Sequence, residues 1–165
     1  MFEKILVAID SSTMSRIVFE RALHLAKQNQ ASLMLLHVLS GEDENSPQPI
    51  PPHLESMYWA PGTEIDINSW RQQWETYESE CLEQLQACAA SARTTGVNAE
   101  FRQIRGSIGR TICHLARTWG ADLIVTGNHG RTGLKELFLG SVSNYVLHHA
   151  PCSVLTVKFA VAQEI

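Results

Sequence analysis

Short runs of unbroken apolar residues constrain this chain more than any other feature. "KILVAI" (Lys4 to Ile9), "ASLMLLHVL" (Ala31 to Leu39), "ADLIVTG" (Ala121 to Gly127) and "CSVLTVK" (Cys152 to Lys158) are each the length of a strand. They are apolar at nearly every position instead of every second one. A strand reads this way when helices cover both faces of its sheet, which is the situation of a parallel sheet. "VNAEFRQI" alternates and reads as a further strand.

Between these runs the spacing turns helical. Met14, Ile17, Val18, Ala22, Leu25 and Ala26 recur on one face, with Ser11, Ser12 or Thr13 available as N-cap. Trp70, Trp74, Tyr77, Cys81, Leu85, Cys88 and Ala92 mark a second helix, stopped by Gly96. Ile108, Ile112, Leu115 and Trp119 mark a third, and a short fourth runs from Ser141 to about His149, before Pro151. The order β-α-β-insertion-α-β-α-β-loop-α-β predicts an α/β fold: a five-stranded parallel sheet sandwiched by helices, with right-handed crossovers. The insertion, Ser40 to Ser69, holds five of the six prolines and little periodicity. Proline removes backbone donors, so this stretch reads as irregular. A loop of such length is functional or mobile.

A chain of 165 residues suits a single domain, residues 1–165. Thirteen basic against seventeen acidic residues, net charge −4, give no electrostatic footprint for nucleic acid. No apolar stretch approaches the roughly 18 residues that span a bilayer, so no membrane partner is expected. The first residues have no signal-peptide layout, and a cytoplasmic location is the expectation. Cys81, Cys88, Cys113 and Cys152 form no C-x-x-C pair and read as reduced, buried thiols.

In such sheets ligands bind beyond the carboxyl ends of the strands, where strand order reverses. That rule points to Asp10, to Val38 and Leu39, and to the stretch after Thr126, "GNHGRTGLKELFLGS". Its spacing is Gly127-x2-Gly130-x9-Gly140-Ser141, from a strand end to a helix start. A helix N-terminus carries unpaired N–H groups and partial positive charge, which suit phosphate oxygens. Gly140 would let backbone approach closely, Ser141 and Ser143 would add hydroxyl donors, and Arg131 or Lys135 would add charge. The same glycines also suit plain turns, and spacing alone leaves both readings open. Neither a P-loop nor a G-x-G-x-x-G motif is present.

Other residues carry paired readings. Asp10 is an N-cap or a ligand contact. Asp122, at the opposite strand end, is structural. His37 packs within its strand. His129 meets phosphate or solvent. His148 and His149 suit the negative end of their helix, and Trp70 and Trp74 read as packing.

With "KILVAIDSS", "LLHVL", "ADLIVTGNHGRTGL" and "LGSVSNYVLHHAPCSVLTVK" added to the glycine spacing, the chain resembles the universal stress protein family over nearly its whole length, in its ATP-binding branch. The resemblance implies a Rossmann-like, adenine nucleotide hydrolase-like sandwich holding ATP, or ADP or AMP. It places Asp10 near ribose or phosphates, Ala8 beside the base, Val38 on adenine through its backbone, and Thr126 and Gly127 near base and ribose. Gly130, Gly140, Ser141, Val142 and Ser143 would hold phosphates, with His129 and Arg131 beside them, and Mg²⁺ would bind through phosphate oxygens. It also implies a homodimer through the last strand, Val154, Leu155, Thr156 and Val157, which would otherwise be an open edge. Two departures stand out: Ile108 where a proline is common, which concerns how a helix begins, and the long insertion. The implied function is nucleotide-dependent regulation in a stress response, read by a regulatory protein partner whose identity the sequence does not give. No catalytic residue is assigned. A slow ATPase and an interaction module using the insertion are the alternatives.

Overall fold

The computed structural model describes residues 1–43, 45–47, 67–128 and 140–158. In chain order the elements are β1 (Lys4–Ala8), α1 (Ser15–Asn29), β2 (Ser32–Leu39), α2 (Ile67–Thr94), β3 (Ala99–Arg105), α3 (Ile108–Trp119), β4 (Leu123–Gly127), α4 (Ser141–His149) and β5 (Ser153–Val157). The strands form one sheet in the order β3-β2-β1-β4-β5, and every neighbouring pair is parallel. The α/β sandwich expected from the apolar runs is therefore the observed architecture.

The alternation within each strand explains those runs. Ile5, Val7, Leu33, Leu35 and Val125 point to one face, where Phe19 and Ala22 of α1 and Leu85 and Ala89 of α2 cover them. Leu6, Met34, Leu36 and Ile124 point to the other, against Ile112 and Leu115 of α3 and Val146 of α4. Leu33 to Leu36 are all fully buried. Burying an aliphatic side chain is worth about 1.5–3 kcal/mol, and β2 gains this on both faces. The close approach of α3 to α4 depends on Gly109: a Cβ there would stand 2.7 Å from Tyr145 Cδ1.

Several end signals hold and one does not. Gly96 stops α2 as expected, in the left-handed region (φ +85°), its N–H bonded to Arg93 O at 3.0 Å. Asp122 is structural as expected: its carboxylate accepts from the amides of Glu3 (2.7 Å) and Lys4 (3.2 Å). The N-cap of α1, in contrast, is Met14 in a helical conformation, without a side-chain cap. Neither Ser11, Ser12, Thr13 nor Asp10 caps it. Ser12 turns to the Asp10 carboxylate instead, and Ser11 Oγ accepts from the Tyr77 hydroxyl.

β3 and β5 are the sheet edges. On β5, Leu155 is 38% exposed and Val157 is buried. Among the described residues no helix is long and apolar enough to cross a membrane.

Candidate functional site

Strand order reverses between β1 and β4. From β1 the chain crosses to β2 on one side; from β4 it crosses to β5 on the other. The loops that follow these two strands therefore part, and a crevice opens beyond their carboxyl ends. A cavity of about 450 Å³ lies there. It meets nine of the positions expected from the sequence: Ala8 and Asp10 after β1, Val38 of β2, Thr126 and Gly127 of β4, and Gly140, Ser141, Val142 and Ser143 at the start of α4. His129, Gly130, Arg131 and Lys135 lie outside the described residues. Val154 to Val157 sit on the outer strand, away from this crevice.

Three walls differ in chemistry. On the β4 side, Thr126 is 3% exposed, and its Oγ1 has no hydrogen-bond partner among the described residues. Leaving a buried hydroxyl unmatched costs about 1–3 kcal/mol, so it is an acceptor or donor waiting for a ligand or water. Beside it, α4 starts at Gly140 with no side-chain cap. The first intrahelical bond runs from Asn144 N to Gly140 O (2.9 Å), so the amides before it have no acceptor within the helix. Here the φ of Gly140 is −53°, open to any residue. What a glycine offers at this place is close approach, not a special turn.

The β1 wall is built on Asp10. Its Oδ1 accepts from Ser12 N (3.0 Å), Ser12 Oγ (2.6 Å) and Ser15 Oγ (2.5 Å). The loop is thus wound around one carboxylate oxygen, with Ser11, Ser12 and Ser15 brought to the cavity. The hydroxyl-rich "DSSTMS" right after a strand was the available signal for these three.

The third wall is mostly apolar: Leu36 and Val38 of β2, then Ile108 and Ile112 of α3. Ile108 does more than begin a helix, as it was read; its side chain lines the cavity.

At the edge of this wall stands a buried polar network that the sequence did not disclose. His37 is buried in β2, as expected of a packing residue, but it is also paired. Its Nε2 lies 3.1 Å from Asp43 Oδ2, and the two side chains are 2% and 8% exposed. The Tyr77 hydroxyl donates to the same oxygen at 2.8 Å and reaches Ser11 Oγ at 3.3 Å. Gln103 Nε2 lies 3.2 Å from His37 Nδ1 and donates to the Glu78 carbonyl at 3.0 Å. Burial works against charge on the His37 ring, but the hydrogen bond it donates to Asp43, with help from Cys81, outweighs it and raises the pKa to about 9. Burial likewise pushes the Tyr77 phenol up. Trp74 and Tyr77 pack edge to face with centroids 5.8 Å apart, in keeping with the packing role read for that helix face.

The described cysteines are all free thiols, and burial raises the pKa of Cys88, Cys113 and Cys152. No group of three or more metal-ligating side chains occurs among the described residues.

A crevice at the strand-order switch, ringed by a serine loop and an uncapped helix start, joins the sequence pattern to one family. The model of the universal stress protein family matches residues 1–158. The chain belongs to that family. Among its relatives is YxiE of Bacillus subtilis, a universal stress protein 37% identical over 158 residues, which covers 96% of this chain and 100% of that one. Among solved structures, universal stress protein UspA from Lactobacillus plantarum is 24% identical with a TM-score of 0.70, covering 94% of this chain and 97% of the other. A family member from Arabidopsis thaliana, solved with AMP bound, is 22% identical with a TM-score of 0.61, covering 98% and 94%. At these identities the two structures establish the shared fold.

Proposed function

We propose that this single-domain chain binds an adenine nucleotide, ATP in the first place, in the cavity between β1 and β4, and that nucleotide occupancy sets a conformation or assembly state read by a regulatory partner in a stress response. One observation carries the reading: the unpartnered Thr126 Oγ1 and the uncapped start of α4 face the same cavity. The donors at α4 suit phosphate. The apolar wall of Leu36, Val38, Ile108 and Ile112 suits a planar base. Asp10 and its serines follow β1, which lies between β2 and β4, and would suit a ribose. The AMP held by the Arabidopsis relative supports the ligand class. Mg²⁺ would be held through the nucleotide's own phosphate oxygens.

In this reading Ala8, Asp10, Val38, Thr126, Gly127 and the α4 start contact nucleotide, with His129, Gly130 and Arg131 on the phosphate side. The outer strand β5 pairs with its twin across a two-fold axis to make a homodimer. The protein works in the cytoplasm.

Mass spectrometry of small molecules released from the purified protein tests the reading, together with calorimetric titration by ATP, ADP and AMP. The expected result is an adenine nucleotide carried through purification and a saturable ATP isotherm. No binding at millimolar ATP would sink it. Sedimentation at increasing protein concentration tests the dimer, which charge on β5, as in Leu155→Lys, should dissociate.

A further inference from the structure

The segment after β2, residues 40–43 and 45–47, has a composition unable to hold itself in place. It reads Ser40, Gly41, Glu42, Asp43, then Asn45, Ser46 and Pro47, with no aliphatic or aromatic side chain to bury. Yet Glu42 and Asp43 form part of the cavity wall. Such a segment keeps one position only if polar contacts fix it, because ordering each backbone residue costs about 1–2 kcal/mol. The contacts converge on Asp43. Its carboxylate is gripped from β2 by His37 and from α2 by Tyr77, both on Oδ2. Its carbonyl accepts from Ser46 N (3.1 Å) and Ser46 Oγ (2.9 Å), closing the turn. Around it, Asn45 Nδ2 donates to Ser11 O at 3.1 Å, which ties the segment across the cavity edge to the loop after β1. Gly41 lies over the Trp74 ring in the left-handed region (φ +76°).

Resting on the nucleotide reading of the cavity, we propose that Asp43 is a positioning residue of the ligand site: clamped by His37 and Tyr77, it fixes the segment after β2 against Ser11 and so sets the cavity wall opposite the start of α4.

The chemistry favours this over a purely structural pair. The Tyr77 hydroxyl bridges from Asp43 to Ser11 Oγ, and both of those residues line the cavity. The clamp therefore acts on the wall itself and on the serine loop that Asp10 organises. Its charge is set locally. Among the described residues, the titratable groups facing His37 are Asp43 from the segment and Tyr77 and Cys81 from α2; from β3 the neutral Gln103 faces it. Glu78 and Arg105 pair with each other at the surface. A ring that holds its proton up to about pH 9 keeps Asp43 in a charge-assisted hydrogen bond through the neutral range.

The test uses the full chain with Asp43→Ala, Asp43→Asn and Tyr77→Phe, read two ways. Amide NMR follows Ser11 and Ser12 without nucleotide, and calorimetry follows ATP affinity at pH about 7 and about 10. In Asp43→Ala the Ser11 and Ser12 amides should shift and ATP affinity should fall by about tenfold or more. Tyr77→Phe should shift the same amides by less. Asp43→Asn keeps an acceptor for both donors, so it should bind within about threefold of wild type at pH about 7. It should also lose the several-fold weakening that the wild type shows when His37 gives up its proton. Unmoved Ser11 and Ser12 amides in a cooperatively melting Asp43→Ala would overturn the proposal, as would unchanged ATP affinity. If those amides shift but the wild type binds no ATP, the positioning role stands and the nucleotide reading falls.

Discussion

On the β4 side of the cavity, Thr126 Oγ1 has no partner among the described residues, and the start of α4 makes long hydrogen bonds, Gly140 N to Asn128 Oδ1 and Ser143 Oγ to Gly127 O, each at 3.5 Å. On the β2 side, Asp43, His37, Tyr77 and Ser11 present polar groups that satisfy one another. Both walls surround one space, but they stand in opposite states of readiness. The unsatisfied wall is open to a ligand, because desolvating those groups has already been paid for in folding. The satisfied wall resists change, because moving one member strands the others in a buried place. A site made this way has one face that binds and one that holds shape.

The comparison can be broken most forcefully on the satisfied side. Asp43→Ala leaves His37 and Tyr77 without their shared acceptor, and should lower the free energy of unfolding by about 3 kcal/mol in a denaturant titration. A loss below about 0.5 kcal/mol would mean the network is slack. The next largest effect belongs to the open side. Gly140→Val is compatible with the backbone there, so the protein should fold normally, but in the nucleotide reading the added methyls would stand where phosphate approaches. ATP affinity should drop about a hundredfold, roughly 2.7 kcal/mol, with melting unchanged.

The charge on His37 gives a third, smaller effect. Its pKa rises from 6.5 to about 9 on folding, so its contribution to stability is complete below pH 6.5 and lost as pH climbs through about 9. Wild type should lose stability over that window, and Asp43→Asn should show a much flatter profile. Thr126→Val sharpens the comparison most gently. Removing an unmatched buried hydroxyl of similar shape should leave stability level or raise it by about 1 kcal/mol, while ATP affinity weakens several-fold. The comparable loss of a hydroxyl on the β1 wall, Ser15→Ala, should instead cost stability, since Ser15 Oγ is bonded to Asp10.

The unsatisfied wall was also the legible one. Gly140, Ser141 and Thr126 stand at a strand end and a helix start, and both positions can be read from local periodicity. The serines after β1 carried a local signal too, although it was read as helix capping; only the fold turns them toward Asp10. The satisfied wall had no such signal. His37 and Asp43 are six residues apart, and Tyr77 lies 34 beyond Asp43, across the long insertion. Nothing local distinguishes this tyrosine from the other aromatic residues on its helix face.

By itself, then, the sequence determined the parallel sheet, the covering of both its faces and the place of the crevice. These follow from period, polarity and the topology rules, which act between near neighbours or on whole elements. Only the tertiary structure decided which oxygens meet which donors: that Asp10 gathers serines instead of capping a helix, that Ile108 reaches the cavity, and that Asp43 closes on His37 and Tyr77. The physical reason is range. Hydrophobic patterning is cumulative and tolerant of detail, whereas a hydrogen bond needs two specific atoms within about 3 Å, and that coincidence exists only after the chain has folded.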